Sequence, residues 1–285
     1  MLGILASMFD GLLVGCVYGL AAMGLSLIWG VMNVINLAHG VMIAFGMFGL
    51  FFLFSGFHIN AYVLLLPIIA AGFLCGIGIY WIAVHRVIGR PQLTSLLSTF
   101  AVNMILIGLG TTFWSTSPYN VDFSLPGITI GPYTFTGDHI AAAIAAAVIA
   151  AGLQLFLYYT RFGKAIRAVA DNRDAAELMG ISSAWVLTVA FGLGVALAAA
   201  SGGLVSTLFP FTVLSGGAYQ LKSFVVTILA GLGNPFGALL AGALLGLLEG
   251  AITPFIAVSW VPLIEFALFV LVLIAFPRGI FGKAA

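Results

Sequence analysis

The chain is 285 residues long, 63% hydrophobic and 6% charged, with a mean hydropathy of +1.24. Soluble domains carry about a quarter charged residues, so this composition excludes a water-soluble globule and calls for a bilayer. Nine basic against eight acidic residues leave a net charge of +1, and no basic tract points to nucleic acid.

A membrane span needs about 20 apolar residues. Runs of that character fall at 7–29, 34–54, 61–84, 94–114, 138–159, 185–209, 219–232, 236–252 and 255–276. The chain reads as an all-α polytopic membrane protein: one transmembrane domain over 1–285 with eight or nine helices. Its start lacks a basic flank and reads as an uncleaved first span rather than a signal peptide. The first span carries Gly11, Gly15 and Gly19, and the eighth Gly242, Gly246 and Gly250. Spacing of four puts each set on one helix face and lets backbones approach. These faces either pack within the subunit or meet a second subunit. Cys16 and Cys75, inside apolar runs, read as small packing residues rather than a disulfide or metal pair.

Asn33, Asn36, His39 and Gly40 stand where the first two helices join. Asn36 and His39, three apart, can share a helix face. They either pin a broken helix by bonding freed backbone groups or line the path or gate near its inner end. No second histidine or carboxylate lies at ligand spacing, so a metal site is not expected. Asn103 and Gln154 read as interhelical hydrogen-bonding residues.

Orientation follows from the basic segments. These are 85–90 with Arg86 and Arg90, an island at 161–180, and a C-terminus with Arg278 and Lys283. The loop at 115–137 holds Asp122 and neither Lys nor Arg, and reads as external. Nine spans then put the N-terminus outside and the C-terminus in the cytoplasm. Four helices on each side of the central 138–159 run suggest an inverted repeat, a common transporter construction.

The seventh and eighth runs are short, with Gly233-Asn234-Pro235 between them, and form either two tilted spans or a re-entrant hairpin. Lys222 falls near the outer end of the seventh run, where a lysine can snorkel to the interface. Glu249 and Glu265 are costly in hydrocarbon and must face protein or water. Lys222 with Glu249 is one partnership, which spacing by itself leaves open.

The island RFGKAIRAVADNRDAAELMG, residues 161–180, holds Arg161, Lys164, Arg167, Asp171, Arg173, Asp174 and Glu177. Such a stretch cannot sit in hydrocarbon and must project into water. It divides into two short helices. In the first, Phe162, Ala165, Ile166 and Val169 share a face opposite Arg161, Lys164 and Arg167. In the second, Asp171 is expected to cap the start, with Asp174 near the positive end. Ala175, Leu178 and Met179 form its apolar stripe, and Gly180 ends it.

Residues 174–180, DAAELMG, resemble the EAA---G loop of bacterial ABC-importer permeases, with Asp174 in place of the leading Glu. The longer GKAIRAVADNRDAAELMGI is similar to the form found in permeases of the branched-chain amino acid transport family. GLSLIWGVMNVINLAHG at 24–40, Lys222-Ser223-Phe224 with GLGNPFGA at 231–238, and FPRGIFG at 276–282 resemble further stretches of that family.

The resemblance implies a division of labour. A periplasmic substrate-binding protein would capture cargo, and this chain with a second permease subunit, homologous or identical, would form the path through the bacterial inner membrane. Two cytoplasmic ATP-binding subunits would hold ATP and Mg, with no cofactor on this chain. The loop over 161–182 would couple to the ATPase through Gly163, Arg167, Asp174, Ala175, Ala176, Glu177, Leu178 and Gly180. Asn33, Asn36, His39, Gly40, Lys222 and Glu249 would serve the path or gate. Branched-chain amino acids are the expected cargo, moved by alternating access; urea, amides and aromatic acids are rivals within the family. No GxxxxGK[ST], GxSxG or HExxH motif occurs, which argues against an ATPase or an intramembrane enzyme. A stand-alone carrier or channel is the remaining alternative.

Overall fold

The computed structural model describes residues 2–130, 133–276 and 279–282. Among the described residues, eleven α-helices run in chain order. These are α1 Leu2–Met32, α2 His39–Phe57, α3 Leu65–Ile79 continued by a π turn Tyr80–Val84, α4 Gln92–Trp114 and α5 Gly137–Tyr159. They are followed by α6 Arg161–Asp171, α7 Arg173–Leu178, α8 Ser183–Ser206, α9 Ser215–Ala230, α10 Pro235–Ile252 and α11 Val261–Ala275. Seven of them, counting α3 with its π turn as one, are long and apolar enough to cross a membrane. α9 and α11, with 16 and 15 residues, are shorter than that.

The 115–137 loop contains a two-stranded antiparallel hairpin that the sequence reading did not anticipate, β1 Ile128–Ile130 paired with β2 Tyr133–Phe135. Gly131 and Pro132 of that loop lie outside the described residues, as do Pro277, Arg278 and Lys283 of the expected basic C-terminus.

α1 and α8 form the centre, each with 78% of its most apolar stretch buried. α1 lies antiparallel against α10. A Cβ added to Gly15 would sit 2.6 Å from the Gly242 carbonyl, and one added to Gly19 would sit 2.7 Å from that of Leu239. The two glycine faces are therefore consumed against each other inside the subunit, and the reading in which one of them meets a second subunit is overturned. α3 lies antiparallel against α8 in the same manner, Gly72 over Ala196 and Ala199, and Gly76 over Gly192.

α1 is longer than its apolar run predicts, and α2 begins later. The His39 ring Nε2 lies 3.0 Å from the Ala21 carbonyl, 11 residues short of the end of α1. At about 1.5 Å rise per residue, the chain climbs back about 16 Å as the non-helical segment 33–38 before α2 starts. α2 therefore begins deep within the bundle. Its first turn meets the first turn of α9, with Gly40 against Gly216.

Pairwise contacts separate two ends. At one, Asp10 meets His139, Ser7 meets Thr253 at 3.4 Å, and Tyr119 bridges Phe211. At the other lie α6 and α7, and the turn 231–234. There Asn234 Nδ2 donates to the Phe281 carbonyl at 3.0 Å, and Ile280 N–H to that of Leu229 at 2.7 Å.

Candidate functional site

The polar island forms two helices, each capped by a side chain. The Thr160 hydroxyl accepts from Gly163 N–H at 2.9 Å and starts α6. The cap of α7 is Asn172, whose Oδ1 accepts from Ala175 N–H at 3.0 Å; Asp171, expected there, instead closes α6. One residue decides this, because the extended backbone of Asn172 (φ −155°) separates the helices. Asp174 falls in the first turn of α7, where a carboxylate complements the helix dipole. At the far end Gly180 adopts φ +81°. Ile181 N–H reaches back to the Ala176 carbonyl at 3.0 Å and Gly180 N–H to that of Glu177 at 2.9 Å, closing the last turn.

The expected coupling residues divide into two sets. Facing inward, Ile166, Val169 and Ala176 are buried, and a Cβ on Gly163 would lie 2.5 Å from Leu157 Cα. Phe162, expected on that inner face, is exposed. Arg167 folds back onto α5, its guanidinium 4.5 Å from the Tyr158 ring centre. Facing water, Leu178 and Met179 are 89% and 82% exposed. Ala175, Asp174 and Gly180 are exposed beside them. Two large apolar side chains so bare on a solvated helix form a knob suited to a groove in another protein.

Glu177 turns sideways between these sets. Its carboxylate accepts from the Ser183 hydroxyl and from Arg173 Nε at 3.2 Å. The Ser183 bond first, and then the Arg173 guanidinium, hold the Glu177 carboxyl below its usual range.

Several backbone groups freed by the break at 33–38 find individual partners, the arrangement a membrane interior favours. Leu37 N–H donates to the Thr99 hydroxyl at 3.2 Å, which also lies 3.1 Å from the Ile35 carbonyl. Ala38 N–H donates to Asn36 Oδ1 at 3.0 Å, and Gly40 N–H to Gln220 Oε1 at 3.0 Å. Asn36 and His39 therefore do not share a helix face. Asn36 lies before the helix and holds the turn at Ala38, while His39 opens the helix and reaches across to α1. Asn33, exposed with φ +51°, turns the chain out of α1. Thr99 and Gln220 were missed from sequence because a hydroxyl or amide in an apolar run has many ordinary partners.

Lys222 stands mid-way along α9 rather than at its outer end, so it does not snorkel. Its ammonium lies 2.8 Å from both Glu249 Oε2 and Glu265 Oε1, and 4.5 Å from the Tyr18 ring centre. All three charged side chains are at most about a fifth exposed. Glu265 and Tyr18 complete a cluster that spacing had suggested only for Lys222 and Glu249. The cluster ties α11 to the body.

A cleft of about 850 Å³ opens at the island end. Ser26 and Gly30 of α1, Gln154 and Tyr158 of α5, and Arg167 and Asp171 of α6 form its walls with the turn 231–234. Gln154 thus lines the cleft. Because α6 is a wall, any movement of the island reshapes this space.

No solved structure matches the chain. A family profile described as branched-chain amino acid transport system, permease component, matches residues 7–273. The high-affinity branched-chain amino acid transport system permease protein LivH of Salmonella typhimurium is 29% identical, over 98% of this chain and 96% of its own. The corresponding BraD of Pseudomonas aeruginosa is 27% identical over the same shares. A probable branched-chain amino acid transport permease LivH of Methanocaldococcus jannaschii is 30% identical over 84% of this chain and 78% of its own. With a multi-pass helical body, a projecting island carrying the expected loop motif, and a family match over most of its length, the chain belongs to the permease components of branched-chain amino acid transport systems, non-catalytic membrane subunits rather than enzymes.

Proposed function

We propose that this chain is the permease subunit of an ATP-driven importer in a bacterial inner membrane, moving branched-chain amino acids inward by alternating access. The names of its relatives support the cargo. Its partners are two cytoplasmic ATP-binding subunits carrying ATP and Mg, a second permease and a periplasmic binding protein; this chain holds no cofactor. The observation that carries the reading is the bare Leu178–Met179 knob on a capped helix at the island end. ATPase closure pushes on this helix.

The basic island favours a cytoplasmic position for that end. With α9 and α11 counted as crossings, nine segments alternate and leave the N-terminus outside and the C-terminus inside. The matched antiparallel pairs, α1 with α10 and α3 with α8, together with the Gly40–Gly216 meeting of α2 and α9, support an inverted repeat about α5. The break at Asn33, Asn36, His39 and Gly40 serves as the gate, because its non-helical backbone can rearrange without unwinding a span. Lys222 and Glu249 brace α11 beside the path.

Leu178→Asp tests this. A carboxylate in an apolar groove is expected to abolish co-purification of the ATPase subunits and ATP-driven leucine uptake, with normal membrane insertion. Unchanged uptake would remove the coupling role. Uptake by the purified chain alone under an ion gradient would replace the reading with a secondary carrier.

A further inference from the structure

Docking explains how a partner holds α7 but not how its push enters the membrane. Two bonds join α7 to α8, and a third ties α7 to the linker between them. Ile181 N–H donates to the Ala176 carbonyl at 3.0 Å, the Ser183 hydroxyl donates to the Glu177 carboxylate, and Arg173 Nε lies 3.2 Å from the Ser183 hydroxyl oxygen. Ser183 is the first residue of α8 and is buried. The preceding cap residue, Ser182, makes no side-chain capping bond. A carboxylate from α7 therefore stands beside the positive end of a 24-residue helix, bonded to the hydroxyl of its first residue.

What α8 touches makes this joint consequential. Backbone packs on backbone along its length, with Gly194 against Gly24 of α1, and Gly202 against Ile43 of α2. Contacts this close do not compress. A shift of the α8 start is thus passed to α2, whose own start is the break at 33–38.

We propose that Ser183 is a positioning residue for energy coupling: it holds the Glu177 carboxylate and the Arg173 guanidinium at the start of α8, so that α7 and α8 move as one lever. This rests on the docking reading above and adds the route inward. It places Glu177, one of the expected coupling residues, in a bond within the subunit rather than at the ATPase surface.

The test uses the complete importer, reconstituted with its ATPase, second permease and binding-protein subunits, and reads leucine taken up per ATP hydrolysed. Ser183→Ala is expected to lower that ratio about tenfold, the scale of losing a charge-assisted hydrogen bond, with the ATPase still bound and hydrolysing. Ser183→Thr, which keeps the hydroxyl, restores it. Glu177→Ala gives the same loss, and the double variant loses no more than either single one. Glu177 is solvent-facing, so its variant reports even where Ser183→Ala fails to insert. A wild-type ratio in either single variant, or losses that multiply in the double, would overturn the proposal. Loss of the ATPase from Leu178→Asp but not from Ser183→Ala separates failure of docking from failure of this joint.

Discussion

At the residue scale, the sharpest demand in this molecule falls on Lys222. Its ammonium stands between two carboxylates at 2.8 Å each, among apolar helices where an isolated charge is costly. Removing it leaves Glu249 and Glu265 facing each other without a cation. Lys222→Met should lower stability on the order of 3 kcal/mol, read as a lower melting temperature in detergent. The triple variant Lys222→Met/Glu249→Gln/Glu265→Gln, neutral throughout, should recover most of it. A Lys222→Met melting temperature equal to that of the native protein would show that the cluster contributes nothing.

Glycine spacing governs the element scale. α1 and α10 meet with so little room that a Cβ on Gly15 would lie 2.6 Å from one carbonyl and 2.9 Å from Gly246 Cα. Backbone atoms cannot swing aside as a flexible side chain would. Gly15→Leu should therefore force the helices apart, costing on the order of 3 kcal/mol and reducing the monodisperse yield in size-exclusion chromatography. Gly108→Ala, where a Cβ meets nothing within 4 Å, is the matching control and should be neutral. Equal yields from the two variants would mean that α1 and α10 are not in close register.

The arrangement of the whole molecule is a matter of which end faces which solution. The 115–137 segment and the N-terminal end of α1 share one side, the island and the 231–234 turn the other. In a background with Cys16 and Cys75 replaced by alanine, a cysteine at Ser117 should react with an impermeant maleimide in intact spheroplasts. One at Asp174 should react only after the membrane is opened. The reverse pattern would invert the protein and remove the island from reach of any cytoplasmic ATPase.

Several features were legible in the residues because they follow from local chemistry. Hydrocarbon excludes charge, so the seven ionisable side chains between Arg161 and Glu177 had to lie in water. Gly180 announced the end of α7, and the glycine triplets announced close helix approach. Which partner each one met was a different matter. Gly11 and Gly246 are more than two hundred residues apart, and only the packed bundle pairs them with each other rather than with a second subunit. Separations of 180, 62 and 43 residues likewise hid Gln220 at the start of α2, Thr99 beside the break and Glu265 beside Lys222. Periodicity reports a face, never what covers it. Composition and patterning by themselves thus determined that the chain spans a membrane and exposes one hydrophilic hairpin. The tertiary structure decided where α2 begins, how Lys222 is neutralised and how α7 joins α8, because each depends on a hydrogen bond or ion pair whose partner lies on another element.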